Sequence, residues 1–284
     1  MNTEITRGQF LSLLAGALAY SGVGPALAAD GPTIAAKDGS FERVKKAGTV
    51  VFGTSNDQPF NFLDPKTQQI SGIDADMLLY IMDKLGIPKR EMIQNEFSGL
   101  IPGLLGGRFD IVADAMAITE KRKLQIAFTD PWYIYGDAFI VAKGNPLGIK
   151  SMQDLTKGYR GASYAGTIYM DWLNELAPKG AKISSYPAVP EMLQDFKNGR
   201  LDAALVDGPV FGYLLIQQPD LANYVEVLKG YEVRPDKTNV GAGIRKEDVA
   251  LREAVNWALA EMKKEGADLK ILKKWGLDES NRAS

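Results

Sequence analysis

The sequence contains neither cysteine nor histidine. Without cysteine there are no disulfides, so side-chain packing must stabilise the fold. Without histidine the chain lacks the commonest general base and the commonest metal ligand. These absences exclude Ser-His-Asp triads, Cys-His pairs and the usual zinc sites, and with them most hydrolase classes. We expect neither a metal nor another cofactor.

An excess of charge of one sign is also missing. The 33 lysine and arginine residues nearly balance 35 aspartate and glutamate residues, which gives a net charge of −2. No basic run is interleaved with aromatic residues, so a nucleic acid is not an expected partner. A hydrophobic content of 45% and a charged content of 24% are typical of a globular protein with a sizeable core.

The apolar run at the N-terminus has the form of a sorting signal. Arg7 precedes an apolar stretch from Phe10 to Tyr20, and Ala26-Leu27-Ala28 has the small-x-small form of a signal peptidase site. The run is short and is interrupted by glycine and proline, which argues against a membrane-spanning helix. Residues 1–28 are therefore predicted to be a signal peptide.

Strand-like and helix-like segments alternate after the signal. Thr49–Thr54 is β-prone, and Ile73–Leu85 has apolar residues at helical spacing with Gly86 as a C-terminal cap. Leu100–Gly107 is predicted to be the next helix and Phe109–Ala113 the next strand. This alternation favours parallel α/β layers.

Part of this pattern recurs in the second half of the chain. Gly107-Arg108-Phe109-Asp110 is echoed by Gly199-Arg200-Leu201-Asp202, and the apolar strand that follows each motif ends at Asp114 or Asp207. Arg160–Thr167 likewise resembles the first strand in character and order. Two matches in the same order indicate two similar lobes.

The chain is predicted to cross twice between these lobes. The first crossing is the apolar strand Asp137–Ala142, and the return lies within Tyr231–Gly243. The first lobe then comprises residues 29–142 plus 232–284, and the second comprises residues 143–231. Such geometry leaves a cleft between the lobes, the usual place for a small-molecule site, with two strands as the hinge.

Several motifs resemble one known family. Ile118-Thr119-Glu120-Lys121-Arg122 and the segment from Ala127 to Tyr133 resemble a signature of the polar-amino-acid solute-binding proteins of ABC importers. The segment Phe97–Leu104 and the amphipathic helical tail Leu251–Trp275 fit the same family. The resemblance implies an α/β fold of the two-lobe periplasmic-binding-protein type. Each lobe is then a mainly parallel sheet flanked by helices, and two crossing strands join the lobes.

The resemblance also implies a function. The chain is expected to be a periplasmic, monomeric receptor that captures an amino acid or a similar zwitterion in the cleft. It would deliver this ligand to the membrane permease of an ABC transporter. Two motifs suggest different ligands. The run Asn56-Asp57-Gln58-Pro59-Phe60 with Phe97 is similar to the ectoine-binding branch. The run Ile118–Arg122 is instead similar to receptors for basic amino acids.

Arg122 is the first candidate site residue. Thr119 is predicted to be the N-cap of a helix, which places Arg122 in the first turn against the helix dipole. A ligand carboxylate would offset the unfavourable interaction between the Arg122 cation and the positive end of the helix dipole. In the resembled family the arginine of this run holds that carboxylate. The alternative is a surface arginine paired with Glu120 or Asp130.

Two candidates lie in the second lobe. Asp207 ends a strand, and the resemblance implies that it accepts the ligand's ammonium group; the alternative is a helix cap before Gly208. Thr167 follows Gly166, whose missing side chain lets the backbone approach a ligand. Thr167 then offers its amide and hydroxyl to a carboxylate, or it is part of a plain turn.

The first lobe adds six candidates: Asp57, Phe60, Phe97, Asp114, Ala115 and Ala117. The two phenylalanines are expected to form an aromatic cage for a cation, unless they belong to the core. Asp57 neutralises that cation or is a turn residue. Asp114 either faces the ligand or accepts hydrogen bonds from the Arg122 loop. The two alanines contribute only backbone groups.

An enzyme of the same fold is the alternative to a receptor. Dehydratases acting on prephenate or arogenate share the fold and need a carboxylic acid as general acid over the carboxylate-binding arginine. Glu175 and Glu191 are the second-lobe candidates for that acid. We expect a binding protein without enzymatic activity, with a sensory role as a further possibility.

Overall fold

The computed structural model describes residues 31–155, 159–234 and 237–283; the predicted signal peptide lies outside them. The α-helices in these ranges are α1 Ser40–Ala47, α2 Ile73–Leu85, α3 Leu100–Leu105, α4 Glu120–Lys123, α5 Ile168–Leu176, α6 Val189–Lys197, α7 Gly208–Gln217, α8 Val249–Lys264 and α9 Ala267–Lys274. Short 3₁₀ helices cover Phe97–Gly99, Met152–Asp154, Pro219–Asn223 and Glu279–Asn281. The strands are β1 Thr49–Thr54, β2 Phe62–Leu63, β3 Ile70–Ser71, β4 Lys89–Gln94, β5 Ile111–Val112, β6 Ala127–Phe128, β7 Tyr133–Tyr135, β8 Asp137–Ala142, β9 Arg160–Tyr164, β10 Lys182–Tyr186, β11 Ala203–Asp207, β12 Val225–Val227, β13 Thr238–Val240 and β14 Gly243–Ile244.

Two five-stranded sheets with the same topology form the two lobes. The strand order is β4-β1-β5-β14-β6 in the first sheet and β10-β9-β11-β8-β12 in the second. In both sheets the first three strands pair in parallel, and the remaining pairings are antiparallel. Four strands of each sheet therefore run in one direction, which confirms the predicted mainly parallel α/β fold.

The antiparallel strand of each sheet is the one that arrives from the other lobe. β8 follows β7 directly, β14 follows β13, and β7 pairs with β13 as a two-stranded ribbon. β11 ends at Asp207, which pairs with Asp137 at the start of β8. The crossing chain thus enters the sheet at the edge where the parallel strands end, so it must run against them.

One strand lies in a different lobe from that predicted. The expected first lobe included residues up to 142, whereas β8 pairs with β11 and β12 in the second sheet. Residues 138–141 of β8 are all buried, and their backbone N–H and C=O groups at the two edges of the strand must be hydrogen-bonded, which β11 and β12 provide. The first crossing therefore lies before Asp137, at Gly136. The rest of the division into lobes stays a prediction.

The repeated Gly-Arg-x-Asp motif has a structural role. The Oδ2 atom of Asp110 accepts a hydrogen bond from the backbone N–H of Val51 in β1 at 3.1 Å. In the second lobe, Oδ2 of Asp202 accepts one from the N–H of Arg160 in β9 at 2.8 Å. Each aspartate thus ties the start of its own strand to the neighbouring parallel strand, which explains why the motif occurs once in each lobe.

Glycines in the left-handed conformation end two helices of the first lobe. α2 has the predicted bounds, and Gly86 with φ of 69° donates its N–H to carbonyls of the last turn. The predicted helical tail, Leu251–Trp275, consists of two helices, because α8 ends just before Gly266, whose φ is 67°. In the described residues, no helix combines the length and apolar character needed to cross a membrane.

Candidate functional site

A narrow cavity with about 10 Å³ of free volume lies between the two lobes. Small-molecule pockets typically start at about 300 Å³, so the cleft must widen to admit a guest. The lining residues are Asp57, Phe60, Phe97, Asp114, Ala115, Ala117, Arg122, Tyr135, Tyr164, Thr167, Ile168, Tyr169 and Asp207. All nine candidate site residues from the sequence therefore lie on one surface.

Arg122 is buried, with only 7% of its surface exposed. Thr119 caps α4 as predicted, since its side chain accepts a hydrogen bond from the N–H of Arg122 at 3.2 Å. The guanidinium donates to the carbonyl of Ala117 at 2.8 Å and, across the cleft, to that of Gly166 at 3.0 Å. It also lies 5.4 Å from the ring centre of Phe97. Burial lowers the pKa of Arg122.

No carboxylate in the described part of the chain forms an ion pair with Arg122. Glu120, one of its two suggested surface partners, pairs instead with Lys123 at 2.8 Å. The guanidinium uses two of its five N–H groups on protein carbonyls. A buried cation with spare donors and no ion-pair partner among the described residues is suited to bind an anionic group.

Three tyrosine hydroxyls surround the buried carboxylate of Asp207. Tyr135 donates to Oδ1 at 2.5 Å, Tyr169 donates to Oδ1 at 2.9 Å, and Tyr164 donates to Oδ2. Asp207 stands at the N-cap position of α7, but its side chain makes no capping hydrogen bond, so the helix-cap alternative is wrong. Burial raises the pKa of Asp207, although the tyrosine hydrogen bonds act in the opposite direction.

Asp114 is bound to the end of β1. It accepts hydrogen bonds from the hydroxyl of Thr54 at 2.7 Å and from the N–H and hydroxyl of Ser55 at 2.8 and 2.5 Å. The alternative that Asp114 accepts hydrogen bonds from the Arg122 loop is therefore wrong. The carboxylate also lines the cavity. Burial raises the pKa of Asp114 to about 7 despite these hydrogen bonds.

Asp57 has a different environment. Its side chain is partly buried, and none of the described residues forms a hydrogen bond or an ion pair with its carboxylate. Burial raises the pKa of Asp57 well above its usual range, and the negative charges of Asp114 and Asp207 raise it further. The carboxyl group thus has acceptor capacity on the cavity wall that no described residue uses.

The two phenylalanines occupy unequal positions. Phe60 is fully buried, and its ring stacks on Tyr135 with centroids 5.4 Å apart, so it is part of the core as well as the cavity wall. Phe97 is partly buried and packs edge-on against Tyr164 at 6.3 Å. Because Arg122 already lies against Phe97, part of that ring serves the protein's own cation.

A buried aspartate outside the cavity holds the segment that contains both alanines. Asp74, at the start of α2, accepts hydrogen bonds from the N–H of Ala115 at 2.6 Å and from the hydroxyl of Tyr133 at 2.7 Å. Ala115 has a φ of 47°, which is uncommon for a residue with a side chain. Burial raises the pKa of Asp74 to about 6. The sequence reasoning did not identify Asp74.

Thr167 and Gly166 form the contact from the second lobe. The Thr167 hydroxyl caps α5 by accepting a hydrogen bond from the N–H of Met170 at 3.2 Å, and it donates to the carbonyl of Tyr164 at 2.8 Å. Gly166 has a φ of 80°, and a Cβ atom there would lie 2.7 Å from the Cα of Ser98. The missing side chain of Gly166 therefore lets the first lobe approach closely. The sequence had suggested that it lets a ligand approach.

Comparison with known proteins agrees with this architecture. Residues 50–278 match the family model of the bacterial extracellular solute-binding proteins, family 3. The chain belongs to this family. It is 33% identical over 211 residues to the histidine-binding periplasmic protein of Escherichia coli strain K12, covering 73% of this chain and 79% of that protein.

Two solved structures of similar proteins extend the comparison. An ancestral arginine-binding protein bound to arginine has a TM-score of 0.73 and 36% identity, covering 80% of this chain and 98% of its own. EhuB in complex with hydroxyectoine has a TM-score of 0.76 and 27% identity, covering 86% and 94%. Both kinds of relative suggested by the sequence, those for basic amino acids and those for ectoines, are thus represented.

The sequence reasoning missed the tyrosines of the cavity. Tyr135 lies on the crossing ribbon, Tyr164 ends β9, and Tyr169 is in the first turn of α5. Tyr164 belongs to a segment already predicted to resemble a strand, and its place near the end of that segment was the available signal. Tyr135 falls between the motif that ends at Tyr133 and the predicted strand Asp137–Ala142. Nothing in the spacing indicates that three hydroxyls from separate elements meet at Asp207.

The two glutamates considered as general acids lie outside the cavity. Glu175 is 64% exposed in its side chain and pairs with Arg234 at 3.1 Å. Glu191 is exposed in the first turn of α6. Neither belongs to the cavity lining, so neither is placed to protonate a molecule bound there.

Charge defines what the cavity accepts. Its described lining carries three carboxylates, those of Asp57, Asp114 and Asp207, against the single guanidinium of Arg122. No group of three or more acidic side chains among the described residues is arranged to hold a metal ion. The arrangement is therefore suited to an organic guest that has one anionic group and more than one cationic or hydrogen-bond-donating group.

Proposed function

We propose that this family 3 protein is a periplasmic receptor whose ligand is a cationic α-amino acid of the arginine type. The observation that carries the proposal is the excess of carboxylates over cations in an inter-lobe cavity with aromatic walls. Delivery of the ligand to an ABC permease is part of the proposal, and the monomeric state stays a prediction.

The anionic end of the ligand has one suitable place. Arg122 is the cation of the described cavity lining and has N–H groups without partners among the described residues. The first amides of α5 lie beside it, and a helix N-terminus favours negative charge. Because the Thr167 hydroxyl is engaged within its own lobe, its backbone amide is the group left for a carboxylate.

The α-ammonium group is assigned to Asp207. A carboxylate offers about four lone-pair sites, and three tyrosine hydroxyls already occupy Asp207. The remaining capacity suits one N–H of an ammonium group. The tyrosines hold the carboxylate in place, so the ligand meets an oriented acceptor and little side-chain entropy is lost on binding.

A second positive group is assigned to Asp57. This carboxylate has no partner in the described residues, and Phe60 and Phe97 line the cavity beside it. A cation there gains an acceptor and aromatic faces, worth about 2 kcal/mol for each desolvated cation–π contact. A dicarboxylate would add negative charge beside Asp57, Asp114 and Asp207, which disfavours its binding. The histidine- and arginine-binding relatives support this choice of ligand class.

The proposal is tested with purified protein and a panel of L-arginine, L-histidine, hydroxyectoine and L-glutamate. A ligand at a hundred times its Kd stabilises the fold by about 2.7 kcal/mol, which raises Tm by several degrees for a protein of this size, at roughly 2–4 °C per kcal/mol. We expect L-arginine to give such a shift and L-glutamate to give none. Tight binding of glutamate without any response to the basic compounds would refute the cationic ligand.

Variants of two neighbouring cations test the assignment of the carboxylate. Loss of a charged hydrogen-bond partner typically costs about 1.5–3 kcal/mol, so Arg122→Ala should weaken arginine binding roughly ten- to a hundredfold. Lys123→Ala is the matched control, because that side chain is on the same helix but pairs with Glu120 at the surface. Calorimetry on both variants decides the point, and equal affinities of Arg122→Ala and the unmodified protein would contradict it.

A further inference from the structure

A second, larger space adjoins the cavity. It is a groove of about 420 Å³ between the lobes. Its lining comprises Ser55, Asn56, Asp57, Gln58, Gln94, Asn95, Glu96, Phe97, Tyr164, Pro187, Ala188, Val189, Pro190, Val210, Leu214 and Gln218. This volume lies within the range of small-molecule pockets, and the cavity alone does not account for it.

The groove and the cavity share three wall residues. Asp57, Phe97 and Tyr164 line both spaces. Asp57 is also the carboxylate without a described partner, at the place assigned above to the ligand's distal cation. A group attached to that cation therefore points from the cavity into the groove.

The two walls of the groove differ in chemistry. The first lobe contributes hydroxyl, amide and acidic side chains, and the second contributes mostly proline, alanine, valine and leucine. The charged side chains of the described lining, Asp57 and Glu96, are both acidic. An anionic substituent is therefore disfavoured, whereas an uncharged alkyl chain on a cationic nitrogen meets an apolar wall on one side and acceptors on the other.

We propose that the groove is a second compartment of the binding site, which accepts an uncharged substituent on the side-chain nitrogen of a basic amino acid. The ligand class thus extends from arginine to N-substituted arginines whose head group occupies the cavity. This inference rests on the proposed cationic ligand, and the test below separates the failure of one from the failure of the other.

The experiment compares L-arginine with Nω-propyl-L-arginine by calorimetry. Ala188→Trp adds bulk to the groove at an exposed position where the side chain caps no helix hydrogen bond. Ala222→Trp is the control, since Ala222 is exposed on the same lobe outside the groove lining. We expect the unmodified protein to bind both compounds with Kd values within about threefold. Ala188→Trp should weaken binding of the propyl compound at least about tenfold, equivalent to 1.4 kcal/mol, and that of arginine less than threefold.

Each other outcome overturns a defined part of the inference. If the unmodified protein binds arginine but the propyl compound at least about tenfold more weakly, the groove is not a compartment of the site. If Ala188→Trp weakens both compounds equally, the groove serves only as an entrance. If neither compound binds, the arginine-type ligand itself is wrong, and the groove proposal fails with it. Ala222→Trp should behave as the unmodified protein.

Discussion

Single carboxylates give the cleft its chemical character. Asp74 and Asp114 are buried on the first-lobe side, and burial raises their pKa values to about 6 and about 7. Asp57 is raised well above its usual range. In ordinary proteins such groups are ionised near neutral pH. At Asp57 and Asp114, which line the cavity, protons and a cationic guest compete for the same carboxylates, because either one relieves the crowding of negative charge.

Asp114 makes the stability of the free protein depend on pH. Its pKa is about 7 in the folded protein against 3.8 as the ordinary value, so the folded state keeps the proton over this interval and the unfolded state does not. Its contribution to stability is complete below pH 4 and is lost as the pH rises through 7. The difference between these pKa values corresponds to about 4 kcal/mol at most, with 1.36 kcal/mol per unit.

The measurement is the Tm of the unmodified protein minus that of Asp114→Asn, followed from pH 5 to pH 8 without ligand. Subtraction removes the contributions of the acids that do not interact with Asp114. We expect this difference to fall by several degrees as the pH rises, since asparagine cannot ionise. A difference that is constant over this range, or that grows, would contradict a raised pKa for Asp114.

At the scale of elements, the loop between β9 and α5 is one part of the second lobe that contacts the first. The carbonyl of Gly166 accepts a hydrogen bond from Arg122, and its Cα faces Ser98. The same loop carries Thr167, the N-cap of α5. Closure of the cleft and the position of the candidate carboxylate site therefore depend on one short turn.

Gly166→Ala should weaken arginine binding about tenfold or more, because a Cβ atom 2.7 Å from the Cα of Ser98 prevents the lobes from closing fully. Gly199→Ala is the matched control: Gly199 also has positive φ, at 64°, but a Cβ atom there meets nothing within 4 Å. The control should lose about 1 kcal/mol of stability from its backbone conformation and keep its affinity. Calorimetry and thermal unfolding of both variants test this. Equal arginine affinities of Gly166→Ala and Gly199→Ala would show that Gly166 is needed only for its own backbone conformation.

At the scale of the whole molecule, contacts from both lobes converge on the cleft. Tyr135 on the ribbon donates to Asp207, Arg122 donates to Gly166, and Lys121 pairs with Asp171 at 3.0 Å across the lobes. The exposed Lys121–Asp171 pair contributes little by itself. A ligand held by groups of both lobes adds contacts that exist only when the lobes are closed, which shifts the population toward closure.

Small-angle scattering should therefore show a smaller radius of gyration with saturating L-arginine than without it. The two connections that must bend are the turn at Gly136 and the return of the chain through β13, since these segments join the sheets. Gly166→Ala should reduce the compaction. Identical profiles with and without bound arginine would mean that the lobes do not move relative to each other.

The sequence by itself determined the features that depend on local physics. Helical spacing and a glycine cap predicted the bounds of α2, and the β-prone run Thr49–Thr54 is β1. The repeated Gly-Arg-x-Asp motif indicated two similar lobes because each copy has the same local role. The absence of histidine and cysteine excluded whole classes of active site. Family motifs selected nine residues that share one cavity, although their contacts with a ligand stay a prediction.

The tertiary structure alone decided which groups meet. The carboxylate of Asp207 lies among three tyrosines from separate elements, and Asp114 is bound by Thr54 and Ser55 at the end of the neighbouring strand. β8 joined the second sheet because the backbone groups of its buried residues need hydrogen-bond partners on both edges. Such contacts join residues far apart in the chain. They depend on strand order and strand direction, and no short-range pattern of side chains encodes either.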